Sequence, residues 1–292
     1  MSAADHIKAS FDRIAAVYDR HAALEQEVGR RLLSRTVFNQ LEPRRIVDLG
    51  CGTGDCSTAL KDQFRKAHVT GLDFSAVMLE QCRRKPKLMR PVRFVCADMS
   101  RLPLADQSVD MVFSNLANYW SNDPPALYAE IRRVLRKDGM FLFSTLGPGT
   151  FSQLREVWSA VGDAVEVPWF ADILEVGDAL AAAGFAEPAM DAERITLEYS
   201  SVESMMQELD STGAGLLIKG GGAWRARLGE LAEAWKPLMS GKKFPLTFEI
   251  IYGAAFGPPE GQPRKTADGD VATISVSSLL KSRPLAMINS GK

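Results

Sequence analysis

The chain has 292 residues, with 35 basic and 36 acidic side chains, a formal charge of -1 and 46% hydrophobic content, enough for a packed core in one large domain or two small ones. Balanced charge leaves no overall field to recruit nucleic acid or an anionic membrane. The start "MSAADHIKASFDR" lacks the apolar core of a secretory signal, and no apolar run nears the roughly 18 residues of a membrane span, so the sequence predicts a cytoplasmic protein.

Taken in chain order, residues 5–20 and 24–40 read as two helices, with Ile7, Phe11, Ile14, Ala15 and Tyr18 recurring at helical spacing. Short β-rich runs then alternate with helix-length segments. The strands are "RIVDLG", "HVTGLDF", "VRFVCAD", "VDMVFSN" and "GMFLFSTL"; the helices are "GDCSTALKDQFRK", "SAVMLEQCRRK" and "PALYAEIRRVLRKDG", the last ending on a Lys-Asp-Gly stop signal. This rhythm predicts right-handed βαβ crossovers and a parallel sheet.

Beyond residue 147 the sequence predicts a helix in "DILEVGDALAAAGF", a strand in "ERITLEYS", a helix in "VESMMQELDSTGA" and a long final strand in "PLTFEIIYGAAFG". Residues 148–171 and 213–245 read as insertions above the sheet edge where α/β folds place ligand crevices. The organisation expected is therefore N-terminal helices over 1–40 capping the crevice, a main domain over 41–257 carrying both insertions, and a flexible or loosely docked tail over 258–292. Four cysteines, Cys51, Cys56, Cys82 and Cys96, lie in the first hundred residues without C-x-x-C spacing. They predict no metal site and no disulfide framework.

Three glycines in "RIVDLGCGTGD" follow the first strand as G-x-G-x-G, Gly50 to Gly54, which differs from the G-x-G-x-x-G of dinucleotide binding. Glycine gives positive φ and lets the backbone approach a ligand with no Cβ in the way. A plain strand-to-helix turn would look similar. Two acids supply context: Asp73 ends the second strand, where a carboxylate can take both ribose hydroxyls, and Asp98 ends the third, beside the place of an adenine amino group. Either acid alone also reads as a cap or turn residue; together, beside a glycine loop, they read as an adenosine site.

"VDLGCGTGD", "GLDFSAVMLEQC", "CADMSRLPLADQSVDMVFSNLANYW" and "RRVLRKDGMFLFSTLGPGT" together resemble the class I S-adenosylmethionine-dependent methyltransferases over roughly residues 40–257. That resemblance implies an α/β Rossmann-like fold, a seven-stranded mostly parallel sheet whose last strand is antiparallel, and S-adenosyl-L-methionine as cofactor. It assigns Asp73 to the ribose, Phe74 and Met99 to adenine packing, Asp98 to the adenine amino group, and Asp48, Gly50, Cys51, Gly52 and Gly54 to the methionine part. Tyr18, Met78 and Asn115 complete the expected cofactor site.

"FDRIAAVYDRHAALEQEVGRRLL", "SNLANYW", "FSTLGPGTFSQLREVW" and "SSVESMMQELDSTGA" with "FPLTFEIIYG" are similar to the malonyl-acyl-carrier-protein O-methyltransferases of biotin synthesis, over residues 10–257 and through both insertions. This implies methylation of the free carboxylate of a malonyl thioester, on acyl carrier protein or coenzyme A. Tyr18 and Asn115, which match the family's positions, are then expected catalytic residues, and His21, one helical step beyond Tyr18, joins them, although a core tyrosine and a surface histidine read the same way. By position alone, and not from the resemblance, Tyr119, Trp120 and Arg155 are expected acceptor contacts, and "RRKPKLMR" (83–90) with Lys242 and Lys243 an electrostatic dock for an acidic carrier; the alternatives are core aromatics and solvated charges. A sister group that modifies a protein arginine during assembly of respiratory complex I shares the "FxxxAxxYD" start and is the alternative within the fold. A nicotinamide-dependent oxidoreductase is disfavoured by the glycine spacing and the Asp98 motif.

The acceptor fits a chain with only three histidines, His6, His21 and His68. A carboxylate is already ionised at pH 7 and requires no base, unlike an amine or hydroxyl.

Overall fold

The computed structural model describes residues 3–36, 42–85, 91–162, 166–218, 221–257, 264–266 and 269–271. Three helices come first: α1 (Ala3–Ile14), α2 (Tyr18–His21) and α3 (Ala23–Ser34). Strand and helix then alternate through β1 (Arg45–Leu49), α4 (Asp55–Gln63), β2 (His68–Asp73), α5 (Ala76–Arg84), β3 (Arg93–Cys96), β4 (Val109–Asn115), α6 (Pro124–Val134) and β5 (Leu135–Leu146). The second half contains α7 (Ser152–Val161), α8 (Ile173–Ala182), β6 (Ala186–Tyr199), α9 (Val202–Thr212), α10 (Leu228–Trp235) and β7 (Phe244–Phe256), followed by a hairpin of β8 (Arg264–Thr266) and β9 (Gly269–Val271).

Local chemistry starts the helices where the sequence signals them. Ser75 caps α5 by accepting from the Met78 N–H at 3.0 Å, and Asp123 caps α6 ahead of two prolines that need no amide partner in a first turn. Asp172 and Glu175 form a capping box at α8.

The sheet order is β3-β2-β1-β4-β5-β7-β6. Strands β1 to β5 pair in parallel, and β7 runs antiparallel to both β5 and β6. The expected Rossmann-like sheet is present, with "PLTFEIIYGAAFG" as its antiparallel strand. Strand order reverses between β1 and β4, which opens a crevice at their carboxyl ends. One face buries Ile46, Met111, Phe113 and Leu142 under α3, α4, α7, α9 and α10; the other buries Val47, Val112, Phe141 and Phe143 under α6 and α8. The insertion helices α7 and α10 share the first core through Leu154, Trp158, Leu231 and Trp235.

Several boundaries differ from expectation, among them that of β6, which begins at Ala186 and not at Glu193. The first helix breaks at residues 15–17. Asp12 and Asp19, on either side of that turn, are held by different elements: the Ser75 hydroxyl donates to Asp12 and the Thr53 hydroxyl to Asp19, each at 2.5 Å. "IAAVYD" contains no breaker, so tertiary anchoring outweighs helix propensity there. The helix expected through Gly139 ends at Val134, because Leu135 enters β5 opposite Val109. Asp138, with φ 57°, turns the chain so that its N–H donates to the Gly257 carbonyl at 3.1 Å. Of the segment expected over 24–40, Ala23–Ser34 is helical and residues 37–41 lie outside the described chain. The tail expected over 258–292 lies outside it too, apart from the β8–β9 hairpin. No helix among the described residues is long and apolar enough to cross a membrane.

Candidate active site

Three adjoining cavities occupy the crevice and share Gly50 in their walls. The largest, about 370 Å³, lies between Gly50, Asp73, Phe74, Asp98 and Met99 on one side and Ile7 and Trp120 on the other. A second, about 60 Å³, runs over the glycine loop between Asp48, Cys51, Gly52 and Thr53 and the side chains of Tyr18, Glu25 and Asn115. The third, about 50 Å³, is walled by Tyr18, Glu25, Met78, Met99, Asn115, Tyr119 and Trp120.

The loop geometry needs glycine at two places in particular. Gly50 has φ 70°, and a Cβ there would sit 2.3 Å from the Ala117 Cβ; Gly52 has φ 51°, and a Cβ there would meet nothing within 4 Å, so its bare face opens on ligand space. Gly54 is different: it starts α4 against Cys82 and Phe94 and lines none of the three cavities.

Asp73 accepts from the Gly52 N–H at 2.9 Å and the Ser75 N–H at 2.8 Å, which sets its carboxylate beside the loop. Burial pushes it up to about 6 against the pull of those two amides. Asp48 accepts from the Ser57 hydroxyl at 2.5 Å, and burial pushes it up to about 7. Asp98 is exposed at the mouth and accepts from the Ser100 N–H at 2.8 Å. The Asn115 amide donates to the Glu25 carbonyl and accepts from the Ser144 hydroxyl, both at 2.8 Å, which fastens α3 to β4 and β5.

The N-terminal helices form the roof. Phe11 packs edge-on against Trp120 at 5.2 Å and Phe74 at 5.9 Å between ring centroids. Lys85, expected in a basic dock, instead bridges Asp19 at 2.8 Å and Asp55 at 2.5 Å. It latches α2 to the start of α4. Arg84 pairs with Glu80, and residues 86–90 of that stretch lie outside the described chain.

Tyr18, Met78, Asn115, Tyr119 and Trp120 are thus brought together with the glycine loop. His21 and Arg155 line none of these cavities. Arg155 donates to the carbonyls of Pro168 at 3.0 Å and Pro148 at 2.7 Å and lies 4.3 Å over the Trp169 ring. Its fork is occupied in holding the 148–169 segment. The insertions approach the site through Phe170, edge-on to Tyr119 at 5.9 Å. Sequence reasoning missed Glu25, a wall of both smaller cavities, and the roofing role of Ile7 and Phe11, whose helical spacing showed only an apolar face.

A methyltransferase-domain family model matches residues 47–143. Beyond that segment, malonyl-acyl-carrier-protein O-methyltransferase of Laribacter hongkongensis is 40% identical over 278 residues, covering 90% of this chain and 92% of the relative. The enzyme of the same name from Gallionella capsiferriformans is 39% identical, covering 94% and 97%. The chain belongs to the malonyl-acyl-carrier-protein O-methyltransferase family. Among solved structures, a chain from the complex of the Haloferax volcanii Trm112 methyltransferase activator with a methyltransferase shares the fold of this family member at a TM-score of 0.57 and 20% identity, over 86% of this chain and 97% of that one.

The cofactor of this family member is S-adenosyl-L-methionine, and the residues present fit it. The open face of Gly52 leaves a strip of backbone for a ligand to cross, and the largest cavity falls within the range of small-molecule sites. Asp73 and Asp98 would hold the ribose and adenine, and the glycine loop the methionine part.

Proposed function

We propose that this chain transfers a methyl group to the free carboxylate of a malonyl thioester on acyl carrier protein, forming its methyl ester early in biotin synthesis. Similarity over nine-tenths or more of the chain to enzymes of that name carries the reading.

Bound here, S-adenosylmethionine supplies an electrophilic methyl on a sulfonium. The chain's part is to position the acceptor and exclude water. Tyr18, Tyr119 and Trp120 wall the small cavity beside Gly50, and burial pushes both phenols up, so they stay protonated and able to donate to an acceptor carboxylate. No histidine, lysine or arginine among the described residues lines that cavity. A carboxylate acceptor is compatible with this, because it has lost its proton before it arrives. Alignment and partial desolvation then supply the acceleration. Exposed Lys242 and Lys243, at the entry to β7, would steer an acidic carrier.

Labelled methyl transfer to a panel of acceptors tests the proposal. Malonyl-acyl carrier protein should gain a base-labile ester, and the carrier-bound malonyl methyl ester should gain nothing. Comparable transfer to the blocked thioester, or label on protein arginine instead, would reject the carboxyl reading.

A further inference from the structure

Among the described residues, the two small cavities are lined by acids and by no lysine, arginine or histidine. Three of those acids have partners: Asp48 has the Ser57 hydroxyl, Asp55 the Lys85 ammonium, and Asp73 the amides of Gly52 and Ser75. Glu25 differs. The residue as a whole keeps some exposure, but its Oε2 atom is shut off from solvent and has no hydrogen-bond partner among the described residues. A buried carboxylate oxygen left so is costly, and its presence beside a ligand cavity calls for a donor carried in by the ligand.

Building on the cofactor site above, we propose that the Glu25 carboxylate receives the α-ammonium group at the methionine end of S-adenosylmethionine. Of the cofactor's two positive groups, only the ammonium has N–H donors, and a hydrogen bond is what Oε2 lacks. Glu25 shares the second cavity with Gly50, Cys51, Gly52 and Thr53, the strip over which the methionine part would pass. Position in the chain adds a second argument. Asn115 grips the Glu25 carbonyl, so the residue is pinned to the end of β4 and cannot swing away with the roof. Burial pushes the unliganded carboxyl up to about 7, and nearby Glu208 adds to the rise; an ammonium partner would restore the ionised form. There is also a chemical reason for the pairing. When the acceptor of the reaction is itself a carboxylate, an unengaged glutamate near the methyl group would be a rival nucleophile, and pairing with the ammonium withdraws it.

The test is calorimetric titration with S-adenosylhomocysteine, which has the ammonium but no sulfonium, and with its deaminated analogue, for the native chain and Glu25→Gln. The native chain should prefer S-adenosylhomocysteine by about 10- to 100-fold, the range for a hydrogen bond to a charged group. In Glu25→Gln that preference should collapse to less than about threefold, because the first ligand weakens and the deaminated one does not. The variant should unfold at the same temperature as the native chain, or higher, in the absence of ligand. Equal affinity of the native chain for both ligands would overturn the proposal without recourse to any variant, as would a preference that survives the substitution or an equal loss for both ligands. If the native chain bound neither ligand, the cofactor site itself would fall, which is a distinguishable result.

Discussion

The large cavity of the crevice, proposed for adenosine, and the two small ones, proposed for the methionine part, are built by different parts of the chain. The first is roomy, about 370 Å³, and owes its walls mainly to β1, β2 and β3 and the turns that follow them. The second is two narrow spaces of about 60 and 50 Å³, closed by Tyr18 and Glu25 from helices that precede the sheet. One end is therefore fixed by the fold, and the other depends on how the N-terminal helices are latched. On the proposed reading the difference divides affinity from control: strand ends would give a standing nucleoside site, while access to the reacting end would ride on the contacts of Asp12, Asp19 and Lys85.

The largest expected effect falls on the standing half. Asp73→Ala removes the ribose acceptor and strands two backbone donors, so cofactor binding should weaken by about 1.5–3 kcal/mol, or about 10- to 100-fold. An unchanged dissociation constant would show that the nucleoside end is elsewhere.

Next comes pH. Asp48 and Asp73 are raised in the folded chain, to about 7 and about 6, so between pH 4 and 7 the native state binds more protons than the unfolded state. Stability of the unliganded chain should then fall as pH rises through that window, and Glu25, pushed up to about 7, adds in the same direction. Urea unfolding would measure it, and Asp48→Asn should flatten the slope. Stability rising over this range would contradict the buried-acid assignment.

The smallest effect probes the latched half. Asp19→Ala removes one anchor of α2, a partly exposed contact worth about 0.5–1 kcal/mol, so the cofactor should dissociate about two- to fivefold faster while α1 and α2 exchange their amides sooner. Unaltered dissociation and exchange would mean that the roof is held by its apolar contacts alone.

The same division governs what the sequence made legible. That Gly50, Gly52 and Asp73 share the crevice walls was legible because a strand end, a glycine loop and a terminal acid follow from local chemistry at fixed spacing. The sheet, with its antiparallel β7, was legible through alternation of strand and helix and through the family resemblance. Glu25 was not, since an acid on an amphipathic helix looks solvated until Asn115, more than eighty positions later, is found to bind its carbonyl. The break at residues 15–17 escaped for the same reason: its cause is Ser75 and Thr53, both distant in sequence. Arg155 was singled out for its charge, yet its donors are spent on the carbonyls of Pro148 and Pro168, partners that only folding reveals.

The claim that the acceptor arrives already ionised and needs no proton removed is tested most directly by single-turnover methyl transfer to malonyl-acyl carrier protein, at saturating cofactor, from pH 6 to pH 8.5. The rate should be nearly flat, because the acceptor titrates near pH 4 and the phenols of Tyr18 and Tyr119 stay protonated throughout. His21→Gln should leave that profile flat. A rate that climbs about tenfold per pH unit, as removal of a proton in the chemical step would require, with the climb lost in His21→Gln, would contradict the account.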